Sequence, residues 1–156
     1  MSSLPPERAS RWLRRLLRLN AVVLMLAFPA VVLPDVWMNS AAITIGLGEL
    51  SDTPLFNYLA RTLSALYGMC GIATWILASD LPRYAPLVKL WGCSAIAAGV
   101  GFTMLDLIVG MPGVWAAIEG GYLLPTGAFV LWLDALRTRT NDPLVDVQAP
   151  LSESGS

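Results

Sequence analysis

The stretch FTMLDLIVGMPGVWAAIEGG, residues 102–121, consists of two apolar arms joined by a tight turn at GMPG. Each arm carries one carboxylic acid, Asp106 before the turn and Glu119 after it. The apolar runs extend beyond the quoted stretch on both sides, to the length of about 20 residues that a helix needs to cross a bilayer. The stretch therefore predicts a hairpin of two membrane-spanning helices, and it raises the question of how the two acids are accommodated.

The composition of the whole chain is that of a membrane protein. Of its 156 residues, 56% are hydrophobic and 13% are charged, whereas soluble domains carry about 25% charged residues. Four apolar segments are long enough to span a bilayer, and the short connections after the second and third predict neighbouring, oppositely directed helices. The predicted fold is an all-α, antiparallel four-transmembrane-helix bundle with spans at 12–33, 55–78, 86–109 and 114–136.

The placement of the basic residues predicts the orientation. Nine of the ten Lys and Arg residues flank the spans on one side, and segments 34–54 and 110–113 on the other side contain none. By the positive-inside rule both termini are cytoplasmic, in a multi-pass protein of the inner (plasma) membrane. The predicted organisation is a basic cytoplasmic N-terminus at 1–11, a four-helix domain at 12–137 and a disordered cytoplasmic tail at 138–156, with an interfacial half-helix within 34–54.

The first span allows two interpretations. Arginines followed by an apolar run resemble a signal peptide, but no clear A-x-A cleavage site follows, which favours a retained signal-anchor helix. Arg11, Arg14, Arg15 and Arg18 lie on one helical face, as in a helix resting on anionic headgroups. Determination of the topology alone also explains these arginines, so a lipid-specific role stays an alternative.

Three charged residues lie inside the predicted spans at similar depths. Arg61 is about 9 Å from the outer end of span two, Glu119 about 7 to 8 Å from the outer end of span four and Asp106 about 4 to 5 Å from that of span three. Charges that face lipid are costly, so we predict a polar cluster in which Arg61 lies between the two acids. Nearby small or polar residues and a helix kink are predicted to support it: Ser64, Thr103, Gly120, Gly121 and Pro125.

This predicted cluster has a structural and a functional interpretation. Buried charges can fix the register of packed helices without any ligand. One positive and two negative groups leave one acid over, however, and that acid could be protonated or could bind a cation or a polar headgroup. The sequence leaves both interpretations open.

Several kinds of chemistry have no support in the sequence. The chain has no histidine, no glycine-rich phosphate loop and no nucleophile beside a base, so we predict no catalytic residues, no metal site and no cofactor. The basic residues follow the topology, so nucleic acid is not an expected partner. Cys70 and Cys93 lie within apolar runs and are predicted to be buried, inert thiols, with a disulfide or redox pair as the alternative.

Four short motifs together resemble a group of small four-helix bacterial inner-membrane proteins that is broadly DoxX-like. They are YLARTLSALYG, RYAP, MLDLIVGMP and WAAIEGG, within a resemblance over residues 12–137. The resemblance implies a four-helix fold and, more distantly, a subunit associated with redox or quinone-linked partners. The positions that it singles out are Arg61, Arg83, Tyr84, Pro86, Asp106, Pro112, Trp115 and Glu119.

The expected function is that of a small, non-enzymatic integral membrane protein that acts as a subunit or binding module. Its expected partners are the lipid bilayer and either a second copy or another membrane protein. The alternatives are a proton- or small-solute-coupled transporter and a quinone-linked redox subunit.

Overall fold

The computed structural model describes residues 5–46, 48–50 and 53–138, with the exception of the Glu119 side chain. In this part of the chain the regular elements are α-helices, and no strand is present. Long helices alternate with short connections. The helices are α1 (Pro6–Met25), α2 (Pro29–Val32), α3 (Asp35–Thr44), α4 (Pro54–Ser79), α5 (Ala85–Val109) and α6 (Gly113–Thr138).

The four predicted spans are confirmed as helices long and apolar enough to cross a membrane, with α1 and α2 together forming the first. Their ends follow local chemistry. Thr53 caps α4 by accepting a hydrogen bond from the Phe56 N–H, and Pro54 occupies the first helical position. Gly110 ends α5 with φ = 77°, a left-handed conformation that glycine adopts without strain. The residues of the predicted tail that follow Thr138 lie outside the described part of the chain. The disorder of the tail stays a prediction.

The first span differs from its prediction in two ways. Its helix begins at Pro6, six residues before the predicted start at 12, and it is interrupted between Met25 and Pro29. The predicted half-helix within 34–54 corresponds to α3, which follows Pro34.

The bundle core lies at one end of the molecule, here called the core end, where the start of α1 meets the end of α4, the start of α5 and the end of α6. Ala9, Leu13 and Leu17 recur every four residues on α1 and are fully buried. The side chains that pack with them come from the other three long helices and from the turn between α4 and α5, which contributes Leu81: Leu77, Ala78, Leu81, Val88, Val130 and Leu133.

The closest packing of the long helices follows the order α4, α1, α6, α5. Helices α4 and α5, which the short connection between them predicts to be neighbours, meet where Trp91 Nε1 donates to Thr74 Oγ1 at 3.1 Å. Glycines explain this order. A Cβ on Gly71 of α4 would lie 2.8 Å from the Ala21 carbonyl oxygen of α1, and one on Gly68 would meet the Phe28 ring. The small-residue face of α4 is therefore occupied by the first span.

Helices α5 and α6 also approach each other through glycine. A Cβ on Gly127 would lie 2.7 Å from the Gly92 carbonyl oxygen, and one on Gly120 would lie 3.3 Å from the Gly99 carbonyl oxygen. Such close backbone contact is how membrane helices pack without a hydrophobic driving force between them.

The outside of the bundle carries many large apolar side chains. Large side chains such as Leu55, Leu66, Ile108 and Val114 are exposed, as expected of a surface that faces lipid. Cys70 and Cys93 are exposed on this surface too, so the prediction that they are buried is wrong. Apolar runs in a membrane helix face lipid as readily as protein, which is why their apolar context did not indicate burial.

Candidate functional site at the hairpin end of the bundle

The end of the molecule at which the turn around Gly110 joins α5 to α6 is here called the hairpin end. Two of the three predicted charged residues are described with their side chains, Arg61 and Asp106. The structure gives them different surroundings.

Arg61 is held by the connection between α2 and α3. Its Nη1 donates to the Val31 carbonyl oxygen at 2.6 Å, and its Nη2 donates to the Leu33 carbonyl oxygen at 3.1 Å. Nη2 also forms an ion pair with the Asp35 carboxylate at 2.8 Å. The guanidinium therefore satisfies carbonyl groups left open where α2 ends, and it pairs with the first residue of α3.

The predicted Arg61–Asp106 ion pair is not among the contacts of the described residues, in which the ion pairs are Arg61–Asp35 and Arg137–Asp134. The reason lies in the packing of α4. Arg61 shares a helix face with Gly68, which receives Phe28 from the first span. That face of α4 is directed towards the first span and the α2–α3 connection. Arg61 therefore donates its hydrogen bonds to carbonyl groups there.

Asp106 is buried in the α5–α6 hairpin. The residue is 7% exposed, and its Oδ2 has no hydrogen-bond partner among the residues that the structure describes. Its backbone carbonyl accepts from Met111 N–H at 2.9 Å, which ties it to the turn. A buried carboxylate oxygen without a donor is costly, and it is open to a proton, a cation or a hydrogen-bond donor.

The register of α5 and α6 locates Asp106 relative to α6. Gly92 lies against Gly127 and Gly99 against Gly120, a shift of seven residues on each helix. The same shift once more brings Asp106 level with Gly113, the first residue of α6. The first N–H groups of a helix lack intrahelical acceptors and carry partial positive charge. By this count Asp106 corresponds in level to the start of α6, but its Oδ2 accepts no hydrogen bond from these N–H groups within the described residues.

Glu119 lies in α6 next to Gly120, and its side chain is outside the described part of the structure. The part of the predicted cluster that involves Glu119 stays a prediction.

The predicted supporting residues behave differently from one another. Thr103 fills the space at Gly120 and donates to the Gly99 carbonyl oxygen at 2.7 Å. Within the described part of the chain, a Cβ placed on Gly121 would meet no atom within 4 Å apart from its own stretch of α6. Ser64 is half-buried on α4. Pro125 was predicted to kink its helix. In the structure it lies inside α6, which continues as one helix on both sides of it.

Sequence reasoning missed a polar contact in the middle of the bundle. Asn20 of α1 is buried, and its Nδ2 donates to the Tyr122 hydroxyl of α6 at 2.6 Å. The Asn20 Oδ1 has no partner within the described residues. The signal was available, because an amide inside an apolar span is itself a candidate for an interhelical contact.

At the core end, Asp134 of α6 forms an ion pair with an arginine of the same helix. Its Oδ1 lies 2.6 Å from Nη2 of Arg137, one turn further along α6, and both side chains are largely buried. Its Oδ2 and the Arg137 Nε have no partner in the described part of the chain.

The described residues hold no group of three or more metal-ligand side chains. Comparisons of the chain with protein-family models, characterised proteins and solved structures give no match. A role has to be inferred from the residues of this chain, and among the predicted site residues Asp106 combines deep burial with an unpartnered oxygen.

Proposed function

We propose that this chain is a small, non-enzymatic protein of the inner (plasma) membrane that acts as a binding module or subunit, with Asp106 as its binding group. The hairpin formed by α5 and α6 presents this carboxylate, and the bound species is a proton, a small cation or a hydrogen-bond donor of a partner. The four apolar helices support the multi-pass part of this proposal.

The burial of Asp106 together with its unpartnered Oδ2 carries the proposal. An acid kept only to fix helix register needs a donor on the neighbouring helix, because burying a charge is offset by pairing it. Arg61 was the predicted donor, and its Nη groups are engaged by the α2–α3 connection. Ionisable groups within membrane spans mark functional sites by default, which favours a binding role.

The finer topology is part of the proposal. The contacts of Gly92 with Gly127 and of Gly99 with Gly120 support oppositely directed α5 and α6. The distribution of basic residues supports cytoplasmic termini. Membership of a DoxX-like bacterial family and association with a second copy or a membrane partner rest on the sequence resemblance and on the exposed apolar surface.

A second candidate function is transport coupled to a proton or a small solute. The same unpartnered oxygen favours it, since proton-coupled transporters use acids inside the membrane. A quinone-linked redox role rests on the resemblance alone.

The test compares Asp106→Asn with wild-type protein in detergent, with Asp35→Asn as a control that neutralises an exposed acid. If Asp106 is kept for binding, Asp106→Asn unfolds at the same or a higher temperature, because it removes a buried carboxylate without a described donor. Titration with H⁺, Na⁺, Mg²⁺ or Ca²⁺ should stabilise wild type and Asp35→Asn, and Asp106→Asn should lose the response. Infrared difference spectra should show protonation of the Asp106 carboxyl if the ligand is H⁺.

The outcomes separate the candidates. A large loss of stability in Asp106→Asn, with no ligand response in wild type, would make the acid structural and overturn the proposal. Proton or cation flux in proteoliposomes that Asp106→Asn abolishes would establish transport. Ligand response without flux would support the binding module.

A further inference from the structure

The first turns of α1 form a depression of about 270 Å³ on the surface of the molecule, here called the basic pocket. It is lined by Arg8, Arg11, Trp12 and Arg15. These residues share one helical face, and the buried face of α1, which includes Leu13, packs into the core. The guanidinium carbon of Arg15 lies 5.7 Å from the centre of the Trp12 ring, which gives the pocket one aromatic wall.

The basic pocket holds concentrated positive charge. Neither of the ion pairs formed by the described residues involves Arg8, Arg11 or Arg15. Like charges one helical turn apart repel each other, and an anion bound between them removes this repulsion. Guanidinium groups donate to phosphate oxygens in paired geometry, so the chemistry of the pocket matches a phosphate group.

Beyond the pocket, this side of α1 carries Arg18, which lies over the Trp75 ring, and then becomes apolar. Leu19 follows Arg15 by one turn, about 6 Å along the axis, and is 63% exposed. Val22 and Leu26 continue the face and are exposed as well. A ligand that fits the whole face has a phosphate at one end and hydrocarbon at the other, which is the arrangement of a phospholipid.

We infer that the basic pocket binds the phosphate headgroup of an anionic phospholipid, whose acyl chains lie along Leu19, Val22 and Leu26. Trp12, which is 53% exposed, sits at headgroup level, where tryptophan is enriched in membrane proteins. The site is separate from Asp106 and does not depend on the proposed function.

The test is a titration of the purified protein in a non-ionic detergent with short-chain phosphatidylglycerol, phosphatidylcholine and inorganic phosphate, with bound lipid measured by native mass spectrometry. Wild type is expected to bind phosphatidylglycerol at least tenfold more tightly than phosphatidylcholine. Each arginine near a membrane surface contributes about 1 kcal/mol, so Arg11→Gln should weaken phosphatidylglycerol binding about fivefold.

Arg14→Gln is the matched control, because it removes the same charge from the same helix three residues away and Arg14 does not line the pocket. Its affinity for phosphatidylglycerol should stay within twofold of wild type. Arg15→Gln is a second variant that should behave like Arg11→Gln, and gel filtration verifies that each variant is folded.

Three results would overturn the inference. Equal losses in Arg11→Gln and Arg14→Gln would mean that overall charge, rather than the pocket, attracts the lipid. Equal affinity for phosphatidylcholine would remove the requirement for an anionic headgroup. Inorganic phosphate binding as tightly as the lipid would show a simple anion site without acyl-chain contacts.

Discussion

Replacing Gly127 by alanine tests whether close backbone packing holds α5 against α6. The added Cβ would lie 2.7 Å from the Gly92 carbonyl oxygen and 3.0 Å from the Ile96 backbone nitrogen, and ordinary contact begins at 3.4 Å. The helices would have to separate by about 0.7 Å at this point, the difference between 3.4 and 2.7 Å. Backbone atoms cannot move aside as the end of a side chain can.

The size of the effect follows from two opposing contributions. Overpacking of a close contact costs about 1–3 kcal/mol, and replacing glycine by alanine within a helix contributes about 0.5–1 kcal/mol of stability. Gly127→Ala should therefore destabilise the protein by up to about 2.5 kcal/mol relative to wild type. Gly92→Ala should be milder, because its closest contact at 2.7 Å is the flexible Leu131 side chain.

The assay is thermal unfolding in detergent, followed by gel filtration of the protein that remains folded. Gly101→Ala is the control, since Gly101 lies in α5 and an added Cβ would meet no atom of another described helix within 4 Å. Gly101→Ala should equal or exceed wild type, and the three variants should rank Gly101, Gly92, Gly127 in decreasing stability. Equal stability of the Gly127 and Gly101 variants would refute the packing described here.

Two further predictions concern the ion pairs. Arg61→Met deletes a guanidinium that is 33% exposed together with its three hydrogen bonds, and it should lower the stability in detergent by about 2–3 kcal/mol. Asp35→Asn weakens only the ion pair and should cost under about 1 kcal/mol. Equal losses of stability in the two variants would contradict the contacts of Arg61 with the carbonyl groups. Arg137→Met leaves the buried Asp134 unpaired and should lower the stability by about 3–5 kcal/mol. Adding Asp134→Leu should restore most of the lost stability. A double variant as unstable as Arg137→Met would contradict the buried ion pair.

The spans could be predicted from the sequence because their signal is local. About 20 apolar residues between polar connections define a membrane helix wherever its neighbours lie. The helices α4, α5 and α6 accordingly begin and end within two residues of the predicted spans. The first span was less accurate, because the arginines of α1 made its first turns resemble a segment outside the membrane.

The neighbours of each helix could not be predicted in the same way. Short connections bring helix ends together, but the faces that pack are chosen by small residues. Gly68 and Gly71 accept the first span, and Arg61, on the same face as Gly68, therefore meets the α2–α3 connection. Asp106 is buried, and the partner predicted for it depended on a helix order that the sequence does not encode locally.

The position of α1 between α4 and α6 has a consequence for how the protein is assembled. The Asn20–Tyr122 hydrogen bond joins residues 102 apart. The ribosome needs about 5–20 s to synthesise the intervening residues, so α1 cannot contact α6 during that time. Helices α1 and α4 can associate within that interval, and the α5–α6 hairpin forms locally afterwards. Cleavage at the α4–α5 turn would give one fragment with α1 to α4 and one with α5 and α6, each containing two apolar spans, and their co-expression should reconstitute the whole bundle.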